Sequence, residues 1–305
     1  MLNLNVNNET SKLKAVVLGT ALSLGPTPKL EDCYDPKSME HVLNNTYPIE
    51  EDLIQEMQEF FDVLKKYNVT VYRPEKIENY NQIFSRDIAF VIENKFVFAN
   101  VVEDRAKEIQ GIKHVYDQIK DQNIIHLPES CHVEGGDVML FENYIFIGTY
   151  SADDYSKYIT ARTNSQAVDV IEKLFPNKTI IPFELLKSND DARNSALHLD
   201  CCLQPVGNNK AITCPDGFLD KNQYQWIVDL FGAENIFEIN REEMYNMHCN
   251  IFSIDKNVVV SDRSFTRLNT WLEENNFIVE KIKYTEVSKQ GGLLRCSTLP
   301  LIREN

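Results

Sequence analysis

The chain has 305 residues, with 31 Lys and Arg against 46 Asp and Glu and a formal net charge of −15. No nucleic-acid partner is expected, because neutralising phosphates needs a basic surface. With 43% hydrophobic, 10% aromatic and 25% charged residues, the composition is that of a folded globular chain, not a disordered or fibrous one.

No apolar run approaches the roughly 18 residues that cross a bilayer, so no membrane partner is expected. The opening MLNLNVNNET lacks the basic and apolar regions of a secretion signal. The seven cysteines, scattered and odd in number, argue for free thiols and a cytoplasmic protein. No Pro/Gly/Ser-rich linker divides the chain, and one domain over residues 1–305 is expected.

In chain order, residues 14–19 read as a strand. Residues 50–66 read as an amphipathic helix with Leu53, Ile54, Met57, Phe60, Phe61 and Leu64 on one stripe, acids at its start and Lys65-Lys66 at its end. Residues 69–72 are a second strand. A unit then recurs four times, each copy a polar residue followed by two β-rich runs around an Asn-rich turn. The four hairpins are Asp87-IAFVI-ENK-FVFAN, Asp137-VMLF-EN-YIFIG, Asp200-CCLQPV-GNN-KAITC and Asn250-IFSI-DKN-VVVSD.

Helical stripes follow each hairpin in turn: Ala106 to Ile119, Ala167 to Phe175, Tyr224 to Phe231 and Phe265 to Leu272. Short strands at 124–127, 180–182, 236–239 and 277–282 follow these helices, and a last strand at 296–302 has no hairpin mate. Pairing 296–302 with 14–19 would complete a fifth ββαβ unit. The expected fold is therefore an α/β, five-bladed propeller closed by its N-terminal and C-terminal strands, which leaves few exposed sheet edges. Residues 148–163 form a longer polar link where a loop over a site could sit.

Polar residues break the apolar pattern at equivalent places, the entrances to the hairpins: Asp87, Glu134 and Asp137, His198 and Asp200, and Cys296. In a closed ring these entrances converge on the axis. Buried carboxylates need partners, and several of them beside a His and a Cys suit a planar cation under nucleophilic attack, such as a guanidinium. His198 and Asp200, two residues apart, face the same side if they lie on a strand.

The strings NQIFSRD (81–87), EGGD (134–137), HLD (198–200) and GGLLRCSTLPLIRE (291–304) are where a resemblance becomes specific. In this order and over most of the chain they resemble the guanidino-group-modifying superfamily, the penteins, which includes arginine deiminases, dimethylargininases and amidinotransferases. The resemblance implies Cys296 as nucleophile, His198 as general acid and base, and Glu134 supporting the His and the substrate. It implies Asp87 and Asp200 on the guanidinium nitrogens, Asn81 as a further substrate contact, and Arg105 and Arg162 on the substrate α-carboxylate.

The closing RCSTLPLIRE looks more like the hydrolytic deiminases than the amidinotransferases. HLD keeps an Asp that dimethylargininases generally lack, and the chain resembles the compact arginine dihydrolases in having no room for an inserted helical bundle. The resemblance thus implies a cofactor-independent hydrolase of the guanidino or ureido group of arginine or a derivative, through an S-alkylthiouronium. Transfer of the amidino group to an amine is the alternative.

No metal is expected: Cys131-His132 and His248-Cys249 lack zinc-ligand spacing, and Cys201 and Cys202 read as packing residues. Asp137 could cap a turn or touch ligand, and Asp87 could instead bridge to Arg86. Whether the chain forms a homo-oligomer is left open by the sequence.

Overall fold

The structure, a computed structural model, describes residues 1–304. Its strands are β1 (Lys12–Leu18), β2 (Thr70–Tyr72), β3 (Ala89–Ile92), β4 (Lys95–Phe98), β5 (Ile124–His126), β6 (Val138–Phe141), β7 (Tyr144–Thr149) and β8 (Thr179–Glu184). They continue as β9 (Leu203–Val206), β10 (Lys210–Thr213), β11 (Ile236–Glu238), β12 (Phe252–Asp255), β13 (Val258–Asp262), β14 (Ile278–Ile282) and β15 (Thr298–Glu304).

These strands form five three-stranded sheets. In four of them an antiparallel hairpin is joined by a parallel third strand: β3-β4-β5, β6-β7-β8, β9-β10-β11 and β12-β13-β14. In the fifth, β15 replaces the missing hairpin strand. It runs antiparallel to β1, with Leu18 opposite Thr298 and Lys12 opposite Glu304, while β2 lies parallel on the other side of β1. The fold is the five-bladed α/β propeller anticipated from the repeat, closed by its two terminal strands.

Local chemistry explains the blades. The hairpin strands are β-branched and aromatic and mostly buried, as strands covered on both faces must be. At the β9-β10 turn Asn208 and Asn209 both take positive φ, the geometry of a tight primed turn that Asn tolerates. The helix Glu50–Lys66 buries Leu53, Met57, Phe60 and Leu64, the predicted stripe. The helices Ser165–Leu174, Lys221–Phe231 and Thr266–Glu274 occupy the other predicted places.

Three expectations need correction. The stripe from Ala106 to Ile119 is not one helix but short 3-10 turns, Glu103–Arg105 and Glu108–Ile112, leading into Lys113–Tyr116. Gly111 lies against Gln82 and the Glu75 carbonyl with no room for a Cβ, so a close contact replaces a continuous helix. The hairpin strands also start later than expected: Leu199–Cys201 is a 3-10 turn before β9, and Cys296 lies in a turn before β15. Finally, the helix Pro36–Leu43 was not anticipated. Asp35 caps it by accepting from the Lys37 and Ser38 amides, with Pro36 at its first position.

Candidate functional site

The later start of the strands gives the blades a common device, a tight turn that carries one polar residue just before the first strand. Asp87 sits on Ser85–Ile88, Asp137 on Gly135–Asp137, Asp200 on Leu199–Cys201, and Cys296 on the turn before β15. His198 and Asp200 therefore do not share the strand face expected from their spacing. His198 is the extended residue preceding the turn and Asp200 is within it, yet both side chains reach the same site.

Asp200 and Cys296 meet on one side, with Sγ 3.5 and 3.7 Å from the two carboxylate oxygens. Asp200 Oδ2 accepts from Arg295 Nη1 at 2.9 Å, and Arg295 in turn forms a bidentate pair with Glu9. On the other side His198 Nε2 lies 2.8 Å from Glu134 Oε2, and His198 Nδ1 lies 3.7 Å from Asp87 Oδ1. Asp87 Oδ2 accepts from Arg105 Nη1 at 2.7 Å, whereas Asp87 Oδ1, fully buried, has no hydrogen-bond partner among the described residues. Each carboxylate thus commits one oxygen to an internal arginine. The other oxygen of Asp87 faces His198, and that of Asp200 meets only sulfur atoms, Cys296 Sγ at 3.7 Å and Cys201 Sγ at 4.0 Å.

Electrostatics separate the two reactive groups. Burial by itself would lower the His198 pKa, but Asp87, the Glu134 hydrogen bond and Asp137 outweigh it and raise it to about 9, so the ring is an imidazolium at neutral pH. Burial, Asp200 and Asp87 together hold the Cys296 thiol well above its usual range. Glu134 stays ionised: burial opposes this, but Arg162, His198 and Arg105 prevail.

All eight sequence-predicted residues can now be placed. Cys296, His198, Glu134, Asp87 and Asp200 are buried and gathered at one place. Arg105 and Arg162 are buried beside them, turned toward internal carboxylates. Arg105 binds Glu108 through Nε and Nη2 as well as Asp87, and Arg162 Nη1 reaches both Glu134 oxygens at 3.0 and 3.1 Å. Arg162 lies near the end of the long polar link and brings its guanidinium to Glu134. Asn81 donates to Gln290 and lines a cavity of about 110 Å³ with Tyr34, Asp35 and Tyr47, and the Tyr34 carbonyl there accepts from Arg162.

Asp137 holds the HLD turn instead of facing the site, accepting from the Leu199 amide and the Thr163 hydroxyl. Arg86 donates to the Arg295 carbonyl and Thr298 and makes no bridge to Asp87. Sequence reasoning missed Glu9, Glu108 and Asn250. Asn250 had a signal, since it opens the fourth hairpin where the others place Asp.

Asp87, Glu134 and His198 each place a ligand atom within 4.8 Å of the others, close enough to surround a metal ion. The donor set fits one poorly, because Arg105 and Arg162 already supply positive charge to both carboxylates. No helix among the described residues is long and apolar enough to cross a membrane.

Fold and site define a guanidino-group-modifying enzyme class, the penteins. A sequence profile described as "N,N dimethylarginine dimethylhydrolase, eukaryotic" matches residues 35–303, and the chain belongs to this family. The uncharacterized protein YkgA of Bacillus subtilis (strain 168) is 25% identical over 244 residues, 79% of this chain and 77% of that protein. Among solved structures, the N-terminal domain of ArgZ, an arginine dihydrolase from Cyanobacteria, matches 95% of this chain and 98% of its own at 17% identity with a TM-score of 0.77. The inosamine-phosphate amidinotransferase StrB1 of Streptomyces griseus matches 100% and 98% at 16% identity with a TM-score of 0.76. At these identities the two structures speak to the fold alone.

Proposed function

We propose that the protein is a cofactor-independent cysteine hydrolase of the guanidino group of arginine or a close derivative. The observation that carries this reading is the pair Asp87 and Asp200, each holding an arginine with one oxygen and leaving the other to a planar cation beside Cys296 and His198. A guanidinium held there brings positive charge next to a thiol that two carboxylates otherwise keep protonated, and so favours loss of its proton to solvent.

The thiolate attacks the guanidinium carbon, and the His198 imidazolium gives its proton to the departing nitrogen. The C–N bond breaks, leaving an S-alkylthiouronium and a neutral imidazole. The imidazole takes a proton from water, and the hydroxide adds to the same carbon. The C–S bond then breaks as the new hydroxyl loses its proton to solvent, releasing a ureido product and the thiolate. Arginine and water would give citrulline and ammonia. Glu134 holds the imidazole through Nε2, leaving Nδ1 on the Asp87 side for proton transfer.

Arg105 and Arg162 are the groups proposed for the α-carboxylate. Of the five N–H donors of each guanidinium, most are engaged by Glu108, Asp87 and Glu134 and by the carbonyls of Phe84, Ile159 and Tyr34. Binding an amino-acid substrate is therefore an exchange: its guanidinium takes over part of the carboxylate pairing, and its carboxylate takes over part of the arginine pairing.

The test is incubation with arginine, methylated arginines, agmatine and citrulline, each with and without an amine acceptor, with products identified by mass. The expected outcome is release of ammonia or an alkylamine independent of acceptor, with agmatine, which has no carboxylate, poorer by about 30-fold or more. Agmatine matching arginine would refute the arginine assignments. Product formed only with an acceptor would make the protein an amidinotransferase.

A further inference from the structure

The fourth blade contributes a side chain that the mechanism above does not use. Asn250 opens the β12-β13 hairpin at the repeat position where Asp87, Asp137 and Asp200 open theirs, and it is fully buried. Its Oδ1 accepts from the Cys296 amide at 3.0 Å and the Leu293 amide at 3.2 Å. Two N–H donors on that end fix it as the carbonyl, which leaves Nδ2 as the donor on the other end. Nδ2 lies 3.1 Å from Cys296 Sγ and 3.3 Å from the Asp200 backbone carbonyl, and the backbone carbonyl of Asn250 accepts from the Leu294 and Arg295 amides.

We infer that Asn250 is a positioning residue for the nucleophile, its carboxamide anchoring the 293–296 loop through Oδ1 and holding the Cys296 thiolate through Nδ2. This rests on Cys296 being the nucleophile. A thiol accepts a hydrogen bond weakly, whereas a thiolate accepts a charge-assisted one, so the Nδ2 contact strengthens as the proton leaves. The other groups bearing on the sulfur are Asp200, Asp87 and Cys201, which oppose ionisation, the Leu293 backbone, whose hydrogen bond favours it, Tyr284 close by, and Arg295, whose charge is taken up by Asp200 and Glu9. Among the side chains hydrogen-bonded to Sγ in the described residues, Asn250 is the donor that favours the anion.

Asn250→Asp keeps an acceptor for both loop amides and removes the donor. Asn250→Ala, shorter and uncharged, removes the donor without adding a carboxylate. The readouts are the rate of iodoacetamide alkylation of Cys296 against pH, followed on its peptide by mass without substrate, and kcat and KM separately. Both variants should alkylate at a fixed pH at least about tenfold more slowly, as a one-unit upward shift of the thiol requires. They should lose kcat by a similar factor with KM within about twofold.

Alkylation profiles superimposing on the unsubstituted protein in either folded variant, or a rise in KM alone, would overturn the inference. If only one variant folds, its result decides. Because alkylation uses no substrate, it reports on Asn250 even if Cys296→Ser turned substrate over and so refuted the nucleophile.

Discussion

At the residue scale, the site is two reactive groups set apart by the same carboxylates. Asp87 and Asp200 raise the cysteine, and Asp87 with Glu134 raises the histidine, so the substrate-free site pairs an imidazolium with a neutral thiol. The histidine has a measurable consequence for stability. Its folded value of about 9 lies above the unfolded value of 6.5, so the folded state binds the extra proton and this stabilisation is complete below about pH 6.5. It is lost as pH rises through about 9. Comparing melting temperature with that of His198→Gln across this window, the advantage of the unsubstituted protein should shrink steadily; a flat difference would mean His198 is not an imidazolium in the fold.

Much of this convergence was legible in the sequence, because polar residues that interrupt apolar strands stand out: Cys296, His198, Glu134, Asp87 and Asp200 all meet. The partners of Arg105 and Arg162 were not legible. Which carboxylate a buried arginine takes depends on the packing of separate blades, and residue order does not contain it. Asn250 went unassigned because an amide at a hairpin entrance reads as turn chemistry until its neighbours in space are known.

At the element scale, the working unit is the tight turn before each hairpin, which the repeat implied in place but not in conformation. β-rich composition extends through Cys201-Cys202 and into Cys296, so the strands were drawn too early. The turns exist because backbone must pass close beside the axis. Gly136 lies where this backbone meets the His198 ring. A Cβ there would lie 2.7 Å from His198 Cγ and Nδ1 and 2.9 Å from Asp87 Oδ1, although its backbone conformation suits alanine. Gly136→Ala should therefore displace the imidazole held by Glu134. About 1–3 kcal/mol of stability should be lost to overpacking, and turnover should fall by about tenfold or more, since small misplacements are costly. Thermal melting and kcat would check this, and full turnover in the alanine variant would contradict the position given to His198.

At the scale of the whole molecule, closure of the ring is what creates the site. β1 and β15 come from opposite ends of the chain, and their pairing brings Cys296 against residues of the first, third and fourth hairpin turns. The N-terminal segment contributes too: Glu9 clamps Arg295, which holds Asp200. Burial alone would raise the Glu9 carboxyl, but Arg295 and Arg86 bring it down to about 2. Ring and closure were readable from the four-fold repeat and the two unmatched strands, while the Glu9 contact, 286 residues from its partner, was not.

Whether Cys296 Sγ is the atom that bonds the guanidinium carbon is decided by acid-quenched peptide mass analysis after brief reaction with arginine. The expected result is an adduct of arginine less ammonia on the peptide containing Cys296, and a folded but inactive Cys296→Ser. An adduct on Cys201, Cys202 or Cys249, or more than about a tenth of the activity remaining in Cys296→Ser, where losing a nucleophile costs several powers of ten, would contradict it.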